Sequence, residues 1–284
     1  MKLNALCCII FCFCFQSKIL ANITTGAKNG VIDLRAQNFK ERVKIDGKWH
    51  FYWNQFIDPK HTDQFKETVV DFPMKWNELT INGKKLPSFG YASYHVKILL
   101  PKKHGNLRIT LPDIYCAYNG YLNGELVVST GKISKSPEGF IPRWQYKAMD
   151  IPNEIDTADI VFHIANFVHF KGGVKDSMYI GDKLQIQLDR RKAEAIDLLL
   201  TGCLCMGGLF FLGLYLVGNR DKATLLFSLF CIIYSYRILG VGNYVLHTLF
   251  PGSSWAITVH LEYLSLFISI GLFSLYTRYL YLKD

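Results

Sequence analysis

Cysteine is nearly absent from the middle of this chain. Of its 8 cysteines, four lie before residue 15, three lie in apolar runs after residue 195, and only Cys116 lies between. A single cysteine cannot form an internal disulfide, so a domain built from the middle residues must be stabilised by its hydrophobic core. About 160 residues are enough to build one.

The chain also lacks the short motifs of common enzymes. It contains no G-x-S-x-G, H-E-x-x-H or C-x-x-C pattern. Its candidate metal ligands, His163 with His169 or Asp150 with Glu154 and Asp156, do not have the spacing of a closed metal site. We therefore predict no enzymatic activity, no cofactor and no metal.

The sequence also argues against nucleic acid as a partner. The formal net charge is +9, but the basic residues are scattered, and no basic stripe with interleaved aromatic residues suits a single strand. A solvated surface and attraction to anionic lipid head groups are the remaining interpretations of this charge.

The first residues predict export. Lys2 precedes an unbroken apolar run from Leu6 to Phe15, and Ala21 is a small residue at a suitable cleavage point. The run is too short for a membrane span of roughly 20 residues. We predict a signal peptide over residues 1–21. The alternative, an uncleaved N-terminal anchor, would export the following residues as well.

Three long apolar runs occupy the C-terminal third. They cover residues 195–217, 223–243 and 255–277, and each is long enough to cross a hydrocarbon core of about 30 Å. Buried helices of a soluble protein are the alternative. We predict three transmembrane helices in a lipid bilayer and a cytoplasmic end at residues 278–284.

The basic residues orient these spans. The loop between the second and third runs has no Lys or Arg, whereas Arg220, Lys222, Arg278 and Lys283 lie on the opposite side, as the positive-inside rule expects. The exception is "DRRKA", residues 189–193, which places three basic residues outside. We still expect the domain before the spans to lie outside, because the signal should dominate.

Residues 30–188 alternate apolar and polar residues at the period of β-strands. The runs include "YASYHVKILLP", "NLRITLP", "DIVFHIANF" and "KLQIQL", and they are separated by turn residues. In "GYLNGELVV", Asn123-Gly124 suits a type I′ hairpin turn. About eight short strands predict an antiparallel sandwich or jelly roll.

The stretch "GKWHFYWNQF" raises the question of what its aromatic residues do. Trp49, Phe51 and Trp53 share one strand face, so we predict that they fill the core. Tyr52 points to the other face and is expected to be the exposed member. Stacking of these rings on a sugar is the alternative.

The order of several segments resembles a bacterial family. They are "VIDLRAQNF", "VKIDGKWHFYWNQFIDP", "GYASYHVKILLP", "LPDIYCAYNGYLNGELVVSTGKI", "IANFVHFKGGV", "LFSLFCIIYSYRILGVGNY" and "HLEYLSLFISIGLFSLY". Together they are similar to seven-transmembrane receptors with diverse intracellular signalling modules. The resemblance implies an extracellular domain like the jelly-roll sugar-binding (galactose-binding-like) domain of the β-galactosidase group. It also implies location in the bacterial inner membrane, with that domain periplasmic or extracellular.

One departure from this family bears on function. The family has seven spans and an inner output domain such as a histidine kinase or a cyclase, whereas this chain ends at Asp284 after three runs. We therefore expect a truncated receptor, a fragment or a short gene product, whose partner is a signalling protein or a missing C-terminal half.

The loop "NFVHFKGGV", residues 166–174, is the predicted ligand contact. It follows a strand and therefore lies at one end of the sandwich, where such folds bind ligands. It offers Asn166, His169 and Lys171 as polar groups, and Gly172 and Gly173 permit close approach. Tyr115, Arg143 and Trp144 are further candidates at the rim. The ligand would be a carbohydrate or another polar small molecule; the alternative is a turn whose polar groups satisfy one another.

Two charges inside the apolar runs form a second candidate feature. Arg237 lies six residues before Asn243, and Glu262 lies seven residues after Trp255. At 1.5 Å per residue both are roughly 10 Å below the outer surface, so we predict an intramembrane pair. Separate snorkelling of each charge to the surface is the alternative.

Two functions are consistent with these features. The first is a sensor, in which the exported sandwich binds a ligand and passes a conformational change to the spans. The second is a membrane-anchored interaction module, in which the sandwich binds a partner protein and the spans only hold it. A membrane-bound glycosidase is disfavoured because no catalytic domain follows the sandwich.

Overall fold

The computed structural model describes residues 26–281, except Lys66, Asn82, Asn219 and Pro251. The predicted signal peptide, residues 1–21, lies outside the described residues, as do the last three residues of the predicted cytoplasmic end. Within the described part, a β region precedes a helical region.

The β region contains fifteen strands, many of them short. In chain order they are β1 Val31–Asp33, β2 Val43–Lys44, β3 Gly47–Trp53, β4 Thr68–Phe72, β5 Thr80–Ile81, β6 Lys84–Lys85, β7 Gly90–Leu99, β8 Leu107–Thr110, β9 Ile114–Tyr115, β10 Ala117–Leu122, β11 Glu125–Thr130, β12 Ala148–Ile151, β13 Thr157–Asn166, β14 Gly173–Val174 and β15 Tyr179–Asp182. Two 3₁₀ turns, Thr62–Gln64 and Trp76–Glu78, flank β4.

These strands form two main sheets. The larger has the order β11-β10-β13-β7-β3-β4, with β1 pairing parallel to β7, and the smaller has the order β12-β8-β15-β2. One continuous cluster of buried apolar side chains takes members from both sheets, including Ile109 and Ile180 of the smaller and Phe162 of the larger. The predicted mainly β sandwich ahead of apolar helices is therefore confirmed.

Most of the aromatic residues in the stretch 47–56 pack in the core, as predicted. Trp49 and Phe51 are fully buried in the core, and Trp53 is half-buried against it. The Trp49 ring stacks on Phe72 at 3.8 Å between centroids, and its indole N–H donates to the carbonyl of Ile45 at 3.0 Å. Core packing, and not sugar stacking, accounts for Trp49 and Phe51.

The prediction for Tyr52 was wrong. Its side chain is only 3% exposed, because the segment after β3 folds back over the outer face of the large sheet. There Tyr52 packs in a small second cluster with Ile57 and Val161, and its ring meets Phe65 edge-on at 6.4 Å. Strand alternation gives the face of a side chain, but not what covers that face.

The hairpin at Asn123-Gly124 forms as predicted. Both residues have positive φ, 51° and 82°, as a type I′ turn requires. Leu122 and Glu125 are the last pair of the β10–β11 ladder. The turn sets the register of the pairs next to it, and an irregularity between Gly120 and Tyr121 shifts the register further along the ladder.

The helical region contains three long helices and one short one. They are α1 Lys183–Val217, α2 Lys222–Gly240, α3 Val245–Leu249 and α4 Trp255–Tyr281. The three long helices are each long and apolar enough to cross a membrane. Helix α2 packs against both α1 and α4, and the hydroxyl of Ser228 donates to the carbonyl of Gly208 at 2.9 Å where α2 meets α1.

The segment "KLQIQL", residues 183–188, is helical, so its prediction as a strand was wrong. Its alternation fits a period of two, but the carboxylate of Asp182 caps the amide of Gln185 at 2.9 Å and starts α1 there. Helix α1 therefore continues from the last strand into the apolar run without a break. The last strand of the sandwich and this helix are thus joined without a loop.

Candidate functional site

A group of convergent polar side chains surrounds a cavity of about 540 Å³ between the sandwich and the helical region. The sandwich supplies residues 111–115 and 143–146, together with His169, Lys171, Lys175 and Asp176, to its walls, among others. The helical region supplies Arg190 of α1, the α2–α3 connection and the first part of α4. The cavity thus lies where the two parts of the chain meet.

The loop after β13 is held by one amide. Asn166 is fully buried, and its Nδ2 donates to the carbonyl oxygens of Ser88, His169 and Lys171 at 2.9, 2.6 and 2.9 Å. Its Oδ1 accepts from the backbone N–H of His169 at 3.0 Å. This network fixes the loop and turns the His169 side chain inwards.

His169 belongs to an aromatic cluster that spans the junction. Its ring stacks parallel on Tyr115 at 4.7 Å and meets Trp144 edge-on at 5.9 Å. Trp144 in turn contacts Tyr244 at 5.9 Å and Trp255 at 5.7 Å. We call these five residues the junction cluster; three come from the sandwich and two from the helical region.

Burial keeps the cluster uncharged. Burial lowers the pKa of His169 and raises that of Tyr115 above its ordinary value. The ring of His169 is therefore neutral at neutral pH, and neither ring adds a charge to the cavity.

A hydrogen bond ties the two parts together beside the cluster. The hydroxyl of Tyr244, at the start of α3, donates to Oδ2 of Asp113 in the β8–β9 loop at 2.9 Å. Burial raises the pKa of Asp113, although the bond from Tyr244 opposes that shift. Burial also raises the pKa of Tyr244, so its hydroxyl remains a donor at neutral pH.

Arg190 makes the second tie. Its guanidinium lies 4.1 Å from the centroid of the Tyr146 ring and donates from Nη1 to Oδ1 of Asn243 at 3.0 Å. It also donates to the backbone carbonyl of Asn243 and, from Nε, to Glu194 at 2.6 Å. One side chain of α1 thereby connects the sandwich to the α2–α3 connection.

This explains part of the exception to the positive-inside rule. The basic segment 189–193 includes Arg190, whose charge is neutralised by Glu194 and used at the junction. This cation is therefore held by partners within the protein.

Five of the eight predicted ligand residues line the cavity, namely Tyr115, Arg143, Trp144, His169 and Lys171. The other three do not. Asn166 is used within the loop, as described above. A Cβ on Gly172 would lie 2.3 Å from the indole of Trp76, and one on Gly173 would lie 2.7 Å from the Tyr94 hydroxyl. These glycines admit core side chains, not a ligand.

Arg237 and Glu262, the predicted intramembrane pair, are in contact, but not through their two charged groups. Nη1 of Arg237 donates to the backbone carbonyl of Glu262 at 3.1 Å. Among the described residues, no ion pair joins the guanidinium to the Glu262 carboxylate; Glu262 lines the cavity. The helices α2 and α4 are therefore linked by a charge-assisted hydrogen bond to backbone.

This geometry changes the expected result of mutating the pair. Glu262→Gln keeps the backbone carbonyl, so we expect normal assembly of the chain in membranes. Arg237→Met removes the donor and should reduce the fraction that is monodisperse after detergent extraction. A charge swap, Arg237→Glu with Glu262→Arg, should not rescue assembly. Full rescue by the swap would mean that the carboxylate carries the contact.

The Arg190 tie gives a second expectation. Arg190→Ala leaves Asn243 and Glu194 without their partner and should cost about 1–3 kcal/mol. We expect a fall of several degrees in the thermal unfolding midpoint of the full chain in lipid nanodiscs. The neighbouring Arg191→Ala is the control, because Arg191 is exposed. Equal midpoints for the two variants would contradict a structural role for Arg190.

Sequence reasoning missed Asp113, Tyr146, Arg190 and Tyr244. Asp113 and Tyr244 each lie in a segment that resembles the receptor family, but neither residue type by itself indicates a contact between domains. The basic segment 189–193 was noted as an exception to the positive-inside rule, but this exception names no partner for Arg190. Asp113 and Tyr244, which meet beside the cavity, are 131 residues apart in sequence, so no local pattern could have grouped them.

Residues 193–283 match the model of a protein family described as 7TM diverse intracellular signalling. This segment takes in most of α1 and all of α2, α3 and α4. No curated protein matches the chain in sequence.

Several solved glycosidases are similar to part of the chain. A glycosyl hydrolase family 2 member from Bacteroides cellulosilyticus has 12% identity and a TM-score of 0.39, over 49% of this chain and 20% of its own. Ruminococcus gnavus β-glucuronidase in complex with uronic isofagomine has 12% identity and a TM-score of 0.37, over 53% of this chain and 29% of its own. The chain thus spans less than a third of either enzyme, and we base no conclusion on these likenesses.

Proposed function

We propose that the chain is the sensing part of a seven-transmembrane receptor with diverse intracellular signalling; residues 193–283 match the model of that family and follow an N-terminal β domain. A small ligand binds in the junction cavity and alters how the sandwich rests on the helices. The observation that carries this proposal is the double origin of the walls: Tyr115 and Lys171 come from the sandwich, whereas Tyr244 and Glu262 come from the helical region.

The lining suggests a polar ligand of mixed character. Four basic and three acidic side chains face the cavity, together with tyrosine rings and Trp144. One face of the Tyr115 ring is already covered by the stacked ring of His169. We therefore do not expect stacking on this face to be the main contribution to ligand binding. Hydroxyl and charged groups of a carbohydrate or a similar metabolite would find donors and acceptors here. We propose no catalytic role for these residues.

We further propose how the protein is placed. The sandwich, residues 30–188, lies outside the inner membrane of a bacterium, and the spans at residues 195–217, 223–243 and 255–277 pass the change to a signalling module or partner protein inside. Arg220, between α1 and α2, and Lys222, the first residue of α2, support this orientation.

An anchoring module without signalling is the second candidate. It is favoured by the density of the ties at the junction, where Asn243 both accepts from Arg190 and donates to Asp197 at 2.8 Å. A joint of this kind also suits a sandwich that is held rigidly to present a surface to a partner protein. The two candidates differ in whether a small molecule occupies the cavity.

Lys171→Ala gives the most direct test of binding. The full chain in detergent would be screened by thermal shift against sugars, sugar acids and amino acids. We expect at least one compound to stabilise the wild type, and the shift to be lost in Lys171→Ala without a lower midpoint for the free protein. Lys84→Ala, on the exposed hairpin strand β6, is the control.

The outcomes separate the candidates. His169→Ala is less suitable than Lys171→Ala, because His169 is stacked and buried and its removal should lower stability as well. Stabilisation that survives in Lys171→Ala would remove the cavity as the binding site. A screen in which nothing stabilises the wild type would favour the anchoring module.

A further inference from the structure

The loop that carries His169 presents apolar side chains on its other side. His169 is 6% exposed and faces the cavity, whereas its neighbours Val168 and Phe170 are 45% and 59% exposed. Single exposed apolar side chains are common on soluble domains, so exposure alone decides nothing. What matters is where these two lie.

Val168 lies beside the start of the last long helix. It lines an open groove of about 590 Å³ together with Ile141, Trp255 and Ala256. The ring of His169 is 6.5 Å from that of Trp255. Trp255 is the first residue of α4, and tryptophan is typical of the boundary between lipid and water. The loop is therefore at the level where α4 enters the apolar layer.

Exposed apolar side chains lie on both sides of that boundary. Ile141 on the sandwich is 56% exposed, and Ile257 in the first turn of α4 is 60% exposed. The surface of a span must face lipid or other membrane helices, so the adjoining sandwich residues border the same medium. Val168 and Ile141 extend the apolar face of α4 upwards.

Basic side chains accompany this surface. Lys132 lines the same groove, and the ammonium group of Lys171 lies 5.0 Å from the centroid of the Phe170 ring. Apolar side chains that enter the head-group layer, with lysines beside them, suit a membrane with anionic lipids. We call Ile141, Val168, Phe170 and Lys132 the lipid-facing patch.

We propose that the lipid-facing patch rests in the head-group layer of the adjacent leaflet and contacts anionic phospholipid. The sandwich is then attached to the membrane at a second place besides α1. Because the loop between Asn166 and Gly172 faces the cavity with His169 and lipid with Phe170, the lipid composition biases the shape of the cavity. This attachment does not depend on the nature of the ligand.

Spin labels test the proposal in the full chain. The label would be placed by Phe170→Cys, in a chain whose other cysteines are replaced by alanine, reconstituted in vesicles of phosphatidylcholine with phosphatidylglycerol. Leu126→Cys is the control, since Leu126 is equally exposed, at 55%, near the far end of β11. From Leu126 to Lys132 the chain spans roughly 20 Å at the rise of a strand.

We expect the label at position 170 to collide with oxygen several-fold more often, relative to a water-soluble nickel complex, than the label at position 126. A water-like ratio at both positions would overturn the proposal. Shielding of position 170 from both reagents would also overturn it, because another protein surface would then cover the loop.

The charge requirement is tested separately. In vesicles of phosphatidylcholine alone, or with Lys132→Gln, the ratio at position 170 should shift towards that of position 126. The backbone bonds between Lys132 and Ile141 do not involve the lysine side chain, so the variant keeps the local fold. An unchanged ratio in both cases would refute the part of the proposal that assigns anionic lipid.

Discussion

Trp49→Ala is expected to lower the free energy of unfolding of the sandwich by about 3–5 kcal/mol, as for other large-to-small core changes. Trp49 is fully buried between the two main sheets and stacks on Phe72 at 3.8 Å. Its removal leaves a cavity and also takes the partner from the carbonyl of Ile45. The measurement is a urea titration of residues 26–188, in which circular dichroism monitors the unfolding.

Val69→Ala serves as the control for this change. Val69 lies on β4, the strand that pairs with β3, but is 41% exposed. The two variants therefore alter the same edge of the large sheet from opposite faces. If Trp49→Ala costs no more than Val69→Ala, Trp49 is not a core residue, and stacking on a sugar would again be the better interpretation of the aromatic stretch.

Asn166→Asp is expected to have the second largest effect, a loss of about 3 kcal/mol. The change keeps the size and the Oδ1 acceptor, but it removes the Nδ2 donor from three carbonyl oxygens. The amide has two protons, and the carbonyl of Ser88 keeps the indole N–H of Trp76 as a donor at 3.2 Å, so the change leaves two buried carbonyls short of a donor, at roughly 1 kcal/mol or more each. The new buried carboxyl group also lowers stability, because ionising it among these carbonyl oxygens costs free energy.

The same urea titration detects this loss, and Asn38→Asp is the matched control. Asn38 is exposed, and its Oδ1 accepts from the backbone N–H of Lys40, which an aspartate preserves. The loop variant should also lose any ligand that requires Lys171, because the loop is no longer held. Wild-type stability of Asn166→Asp would mean that the amide network does not define the loop.

The elements that the sequence predicts well are those set by neighbours in the chain. The type I′ turn needs two residues of positive φ, and Asn123-Gly124 supplies them. Trp49 and Phe51 alternate with polar residues, so their common face is evident. The apolar runs need only length and composition, and the three long helices contain them.

The errors arise where distant residues decide the result. Tyr52 is covered by a segment that folds back from residue 57 onwards, and strand alternation carries no information about that cover. Residues 183–188 fit a strand, but the cap at Asp182 and the long helix behind them prevail. Helix formation is cooperative, so a short ambiguous segment adopts the state of the helix that it extends.

The candidate site was predicted only in its sandwich half. The loop after a strand pointed to His169 and Lys171, with Tyr115, Arg143 and Trp144 as rim candidates, and the structure gathers these five at one cavity. The other half depends on how the helices stand against the sandwich. That arrangement is set by Arg190 and by the bond from Tyr244 to Asp113, which join residues far apart in sequence.

Hydrogen–deuterium exchange of the full chain in lipid nanodiscs, with and without a compound that stabilises it, tests the central claim most directly. If the ligand binds between the sandwich and the helices, amide exchange should slow in the sandwich segments 112–115 and 169–176. It should slow as well in residues 241–249, on the helical side of the cavity. Protection that is confined to the sandwich, with unchanged exchange at residues 241–249, would contradict the account, because a ligand there would have no contact through which to act on the spans.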